Sequence, residues 1–365
     1  MEFTIERQDF QSTLAKVVGC IGKPNSMLSI LEHGEIKAQD GRIIISATDL
    51  EIAVRAQCDA DIIEPGNALV PAKKLMEILK TIDTEVSIAH ADGKTTIRAG
   101  SAKWVLPSMD VEEYPLMTFL ETGGSKLVSR AFRDMITKTA YAVGDGMRPS
   151  LSGGALVVQN NNICLVGIDG HRGSKFSQRV EFPDTELVVI PLKGLKMLAT
   201  LCGSADIVCL SVRNNILMAR TELDDMAVSV RLLEEQYPDY GRMFPSSILN
   251  NDIVIDREKF LAMAKRVAIV DPQIHFSMDK TELELSSFCE VGEARESLGV
   301  ENHGKPVDFA VSAPYLVDAL TSFDSENVLF FPCEEKGSPI VLKPAADIDL
   351  VAVVMPLSIS TPLRK

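Results

Sequence analysis

Nowhere in these 365 residues does an apolar run approach the roughly 18 residues that a membrane-spanning helix needs, which argues against a helical membrane protein. The opening MEFTIERQDF lacks the basic-then-apolar pattern of a secretory leader, so the cytoplasm is the expected compartment. Seven cysteines form no CxxC pair, and an odd number in a long chain reads as reduced, mostly buried thiols. HExxH, paired Cys/His metal spacing and the P-loop are all missing. The single Gly-x-Gly, Gly144-Asp145-Gly146, has Pro149 where the third glycine of a dinucleotide fingerprint would stand. No metal and no cofactor are expected. Positive charge is also short: 37 basic against 51 acidic residues leave −14 and a pI near 4.9. That argues against a uniformly basic nucleic-acid binder, but not against one whose cations are gathered on one surface.

What the chain does contain is an ordinary globular balance, 46% hydrophobic and 24% charged, and a length that suggests two or three domains. It also repeats itself. FTIERQDFQSTLAKVVGCI from Phe3, KLVSRAFRDMITKTAYAV from Lys126 and IVIDREKFLAMAKRVAIV from Ile253 each run from alternating apolar residues into helical spacing. Phe10, Phe132 and Phe260 hold equivalent places, 122 and 128 residues apart. A second mark, VPAKKLMEIL, IPLKGLKMLA and VSAPYLVDAL, opens a helix at a proline and aligns Leu75, Leu195 and Leu316. A third is a strand ending in proline, at Tyr114-Pro115, Tyr237-Pro238 and Met355-Pro356.

Between the helices lie short β-branched runs broken by Asp40-Gly41, Asp92-Gly93, Asn160-Asn161 and Asn214-Asn215, which read as hairpins. Each repeat is therefore expected to hold two helices and about eight mostly antiparallel strands, an α+β fold. The repeats fall at 1–120, 125–246 and 250–365.

Counted over the expected helices alone (8–20, 72–81, 129–143, 192–202, 256–270 and 313–323), the charge is +7, so the remainder carries −21. An acidic shell around a DNA-facing helical surface would divide its charge this way. The bland alternative, that lysine favours solvated helix faces, explains the cations but not the scarcity of Asp and Glu beside them. One histidine has a chemical context: His171, in IDGHRG, has Asp169 close enough in sequence to orient it as a general base. No nucleophile converges on it by sequence, so a structural or peptide-binding turn is the other reading.

Taken together, TDLE (Thr48–Glu51), VPAKK (Val70–Lys74), EYP (Glu113–Pro115), RPSLSGG (Arg148–Gly154), DGHR (Asp169–Arg172), IPLKG (Ile190–Gly194), YPDY (Tyr237–Tyr240) and VVMP (Val353–Pro356) make the chain resemble the bacterial DNA polymerase III beta subunit, the sliding clamp family. The resemblance runs in order over essentially the whole chain. It implies three clamp units per chain, with helices lining a central hole and sheets outside, and a ring closed by a head-to-tail homodimer. It further implies a non-catalytic processivity factor that encircles duplex DNA without reading its sequence. The implied partners are the polymerase III alpha subunit, the clamp loader and other proteins carrying a clamp-binding motif.

Carried over residue by residue, the DNA-side candidates are Lys23, Lys73, Lys74, Arg148 and Lys193. Trp104 and Leu106 would face Ile269 and Val270 across the dimer interface, although Trp104, the only tryptophan, could equally fill a core. The partner-peptide pocket would be lined by Leu151, Ile168, Gly170, His171, Arg172, Gly173, Pro238, Arg242, Met243, Val353, Met355 and Pro356, with Arg172 as a cation at the rim. Ile168 stands where many members have a hydroxyl, and Gly173 where a larger apolar residue is usual. The cleft is therefore expected to be drier on one side and wider on the other. Pro149 and Ser150 replace two aromatics, and LSISTPLRK extends past Pro356. Two other functions compete with the processivity clamp: a clamp-like paralogue serving a specialised partner, and a hydrolase using His171 and Asp169.

Overall fold

The computed structural model describes residues 1–22, 28–144, 146, 148–244, 252–332, 337–346 and 348–357. Its helices are α1 (Arg7–Val18), α2 (Ala72–Leu79), α3 (Ser129–Thr139), α4 (Leu192–Cys202), α5 (Arg257–Val267) and α6 (Ala313–Thr321). The repeat marks acquire a physical meaning here. Phe10, Phe132 and Phe260 are each the fourth residue of α1, α3 and α5, and Leu75, Leu195 and Leu316 the fourth of α2, α4 and α6. All six are at most 1% exposed. One turn into each helix the side chain returns to the sheet the chain has just left, and burying each is worth about 1.5–3 kcal/mol. The helix expected over 129–143 stops at Thr139, whose hydroxyl donates back to the Met135 carbonyl at 2.7 Å, and a 3-10 turn at Ala140–Ala142 follows.

The hairpin signals also have a backbone explanation. Asp40-Gly41, Asp92-Gly93, Asn160-Asn161 and Asn214-Asn215 all take positive φ at both residues, the geometry that matches strand twist across a two-residue loop. A further repeated device, a three-residue Asx turn, was hidden by its varied composition. Asp49 accepts hydrogen bonds from the amides of Glu51 and Ile52, Asp169 from those of His171 and Arg172, and Asp279 from those of Thr281 and Glu282, all between 2.8 and 3.1 Å. The second residue of the turn is Gly170 at φ 93° in one copy but Leu50 at φ 77° in another, a strained position for a branched side chain.

The chain folds as two compact units, Met1–Arg133 with Lys193–Leu232 and Asp134–Leu192 with Leu233–Lys365, so the division runs through the middle repeat and not between repeats. The reason is sheet sharing. In the first unit an eight-stranded antiparallel sheet joins Ile52–Asp59 of the first repeat to Met226–Arg231 of the second. In the second unit Arg172–Arg179 pairs in the same way with Asp349–Val354. Each join consumes two strand edges that would otherwise stay open. The smaller sheets keep free edges: Ala102–Pro107 ends the five-stranded sheet of the first unit, and Gly292–Gly299 ends the four-stranded sheet of the second.

Among the described residues six cysteines are free thiols, four of them buried. Burial, helped by the charge of Asp49, pushes Cys20 up to about 12, and burial alone does the same for Cys202, so neither is a nucleophile near neutral pH.

Candidate functional site

The second unit gathers most of the expected pocket residues around the turn that follows strand Asn162–Ile168. Ile168 ends that strand, Asp169 closes the turn, and strand Arg172–Arg179 leaves it paired with Asp349–Val354, placing Gly173 directly opposite Val353. The Met355 amide donates to the His171 carbonyl at 2.8 Å, which ties the end of the third repeat to the turn. Leu151, Ile168 and Val353 share one apolar cluster with Tyr237 and Phe244, and Met243 packs against it half-buried. Pro238 and Arg242 are exposed beside this cluster, with Arg242 paired to Asp239 at 3.2 Å, and Pro356 is half-buried after Met355. The Tyr237 hydroxyl donates to the Val166 carbonyl at 3.1 Å, and burial pushes its pKa above the ordinary phenol value.

Two expectations about this pocket are corrected. Gly173 does not leave open space, because a Cβ there would lie 3.0 Å from Phe244 Cζ, 2.9 Å from Ile168 Cγ2 and 3.2 Å from Val353 Cγ2. Nor is Arg172 a solvated rim cation. Its Nε donates to Asp169 at 2.9 Å and its Nη1 to Asp318 at 2.5 Å, while its guanidinium lies 4.6 Å from the Tyr315 ring centroid and 5.5 Å from that of Tyr141. Burial would lower its pKa, but hydrogen bonding to Asp318 and the charge of Asp169 outweigh it and hold it above the ordinary arginine value. Arg172 thus joins the turn to α6. Removing it takes one partner from each of two carboxylates and the cation from two rings, so Arg172→Ala is expected to cost about 2 kcal/mol in urea unfolding, against at most about 0.5 kcal/mol for Arg242→Ala. Equal losses for the two variants would show that the bracket is not structural.

The arrangement also bears on catalysis. The Asp169 carboxylate is taken up by the amides of His171 and Arg172 and by Arg172 Nε. The His171 ring is instead stacked on Tyr315, at 6.2 Å between centroids and 16° between planes. The pairing a hydrolase would need is therefore not formed, and no three His, Cys, Asp or Glu side chains gather as a metal site among the described residues.

The DNA-side candidates separate. Lys73 Nζ donates to the Gly22 carbonyl at 2.7 Å, and Lys193, which forms an ion pair with Asp49, also reaches the Cys20 carbonyl at 3.5 Å. Both therefore converge just past the C-terminal end of α1, where carbonyl dipoles favour cations. Lys23 lies outside the described residues, next in sequence to Gly22. Lys74 is paired with Glu77 and lines a groove of about 550 Å³ with Ile78, Trp104, Val105 and Leu106. Arg148 is in neither place: its Nη1 would lie 3.3 Å from a Cβ at Gly170, which puts it beside the peptide-site turn.

Trp104 is half-buried and Leu106 buried on the free edge strand Ala102–Pro107, while Val105 points outward from the same strand and is exposed. Ile269 is 82% exposed and Val270 half-buried just after α5, and the Val270 carbonyl accepts from Cys289 Sγ at 3.3 Å near the other free edge.

Sequence reasoning missed Tyr315, Phe244 and Val105. Tyr315 was discoverable, because it occupies the place held by Lys74 and Gly194 in the other copies and is the only aromatic of the three. Phe244 carried no comparable signal. Lys196 and Arg130, which belong to the helical charge but not to the DNA-side candidates, are exposed on α4 and α3 and form no ion pair among the described residues.

Three family models match the chain in order. The N-terminal domain of the DNA polymerase III beta subunit covers residues 1–118, the central domain 126–239 and the C-terminal domain 242–358. The beta sliding clamp of Pseudomonas putida is 27% identical over 98% of this chain and 100% of its own length. That of Synechococcus elongatus is 24% identical over the same shares. Among solved structures, the sliding clamp of Pseudomonas aeruginosa bound to griselimycin aligns at a TM-score of 0.90 and 26% identity, over 98% of this chain and 100% of that one.

Proposed function

This chain belongs to the DNA polymerase III beta subunit family, and from that premise we propose that it is a DNA sliding clamp: two copies close head to tail around duplex DNA and tether the replicative polymerase. The observation that carries the reading is the architecture itself. Three repeats run the length of the chain and share sheets internally, yet the smaller sheets of the first and last repeats stay open, with Ala102–Pro107 and Gly292–Gly299 among their edge strands. A second copy that covers both edges closes a two-fold ring.

Inside such a ring the cations need only graze phosphates. Lys73 and Lys193, already held by carbonyls or a carboxylate, suit diffuse contact better than tight, base-reading contact. The peptide site assigned to the second unit's apolar cluster, Leu151, Ile168 and Val353 with Met243 packed against it and Met355 following in the chain, suits a short peptide with aliphatic anchors. Its occupants would be the polymerase III alpha subunit, the clamp loader and other motif-bearing proteins. The protein has no catalysis of its own in this reading and works in the cytoplasm. The experiment that tests it asks whether the hold on DNA depends on the DNA having ends.

A further inference from the structure

Gly173 lies in a strand, at a φ any residue could adopt, so the lack of a side chain there is a matter of space. That space is taken by the Phe244 ring together with Ile168 and Val353. Phe244 is itself 7% exposed and is held by a run of edge-on aromatic contacts. Its ring meets Tyr240 at 6.4 Å and 76°, and Tyr240 meets Tyr237 at 6.3 Å and 65°. Tyr237 is fixed in turn by its bond to the Val166 carbonyl. The volume beside Gly173 is therefore filled by a residue just past the 3-10 turn Tyr240–Arg242, and not by the strand beneath it.

We infer that Phe244 is the residue that sets the size of apolar anchor the cleft accepts, standing in for the side chain that Gly173 lacks. The inference rests on the partner-cleft reading above. A strand residue is placed by its ladder, whereas a ring just past a turn is placed by what it packs against, here Tyr240, Ile168 and Val353. The ring and the glycine form a matched pair, so that neither can change alone without leaving a void or a clash.

The test is fluorescence anisotropy on the full-length dimer, with labelled peptides carrying one Gln and two Leu before a final anchor varied as Ala, Leu or Trp. The native chain should prefer Leu to Trp by about tenfold, the discrimination a filled apolar site gives against excess bulk. Phe244→Ala should move the Trp-to-Leu ratio at least about tenfold toward Trp. Adding Gly173→Leu to Phe244→Ala should refill the space and return the ratio to within about threefold of the native value. Should Phe244→Ala fold poorly, Phe244→Leu should move the ratio the same way by a smaller factor, with the melting temperature as control. Loss of affinity shared equally by all anchors, with the ratio unchanged, would overturn the inference and leave the cleft reading standing. A native chain that binds none of the peptides would overturn both.

Discussion

Once loaded on a closed circular plasmid, the protein should remain bound through a wash at about 1 M salt, where direct phosphate contacts are screened, and should leave when the plasmid is cut. The sign of the effect follows from topology. A ring is held by the continuity of the DNA, which salt does not alter. Direct affinity for a short linear duplex should behave in the opposite manner. With about four phosphates neutralised, it should fall about a hundredfold between about 50 and about 200 mM salt. The small number of contacts reflects the site. Lys73 is engaged by the Gly22 carbonyl, Lys193 by Asp49 and Lys74 by Glu77, so each is only partly available to phosphate. Pull-down of circular and linearised plasmid at both salt levels checks the expectation, and equal retention of the two forms at high salt would remove the ring.

The second large effect is expected at the free edges. The Ile269→Ala/Val270→Ala double variant should lose about 2–4 kcal/mol of apolar burial at each interface. A two-fold ring has two such interfaces, so dissociation should rise by about 10³–10⁶-fold, and sedimentation at nanomolar concentration should find monomer. An isoleucine that is 82% exposed beside an open sheet edge is surface that a second chain would be expected to cover. The partner edge presents Val105 outward, with Trp104 and Leu106 beneath it, so the apolar material is present on both sides. The same variant should slip from circular DNA at high salt. A variant that remains dimeric would move the interface away from these residues.

Much of this molecule could be read without coordinates. Phe10 and Leu75, with their later copies, announce helix entries because each is a large apolar side chain buried one turn into its helix, and the periodicity that reveals this is local. Asp40-Gly41 and Asn160-Asn161 announce hairpins because those residues tolerate the positive φ that the turns demand. The sequence by itself therefore determined the six helices, the hairpins and the threefold repeat, since each is a pattern spanning only a turn or a few residues. Tertiary structure alone decided that neighbouring repeats share sheets, since Gly173 meets Val353 only after the intervening chain has folded. It decided that Arg172 would be bracketed by Asp169 and Asp318 and not stand in solvent, because Asp318 arrives from a helix that no local pattern ties to the turn. It decided, for the same reason, that the room left by Gly173 would be filled by Phe244: volume in a packed interior belongs to whichever side chains converge on it, and convergence of distant residues leaves no periodic trace in the chain.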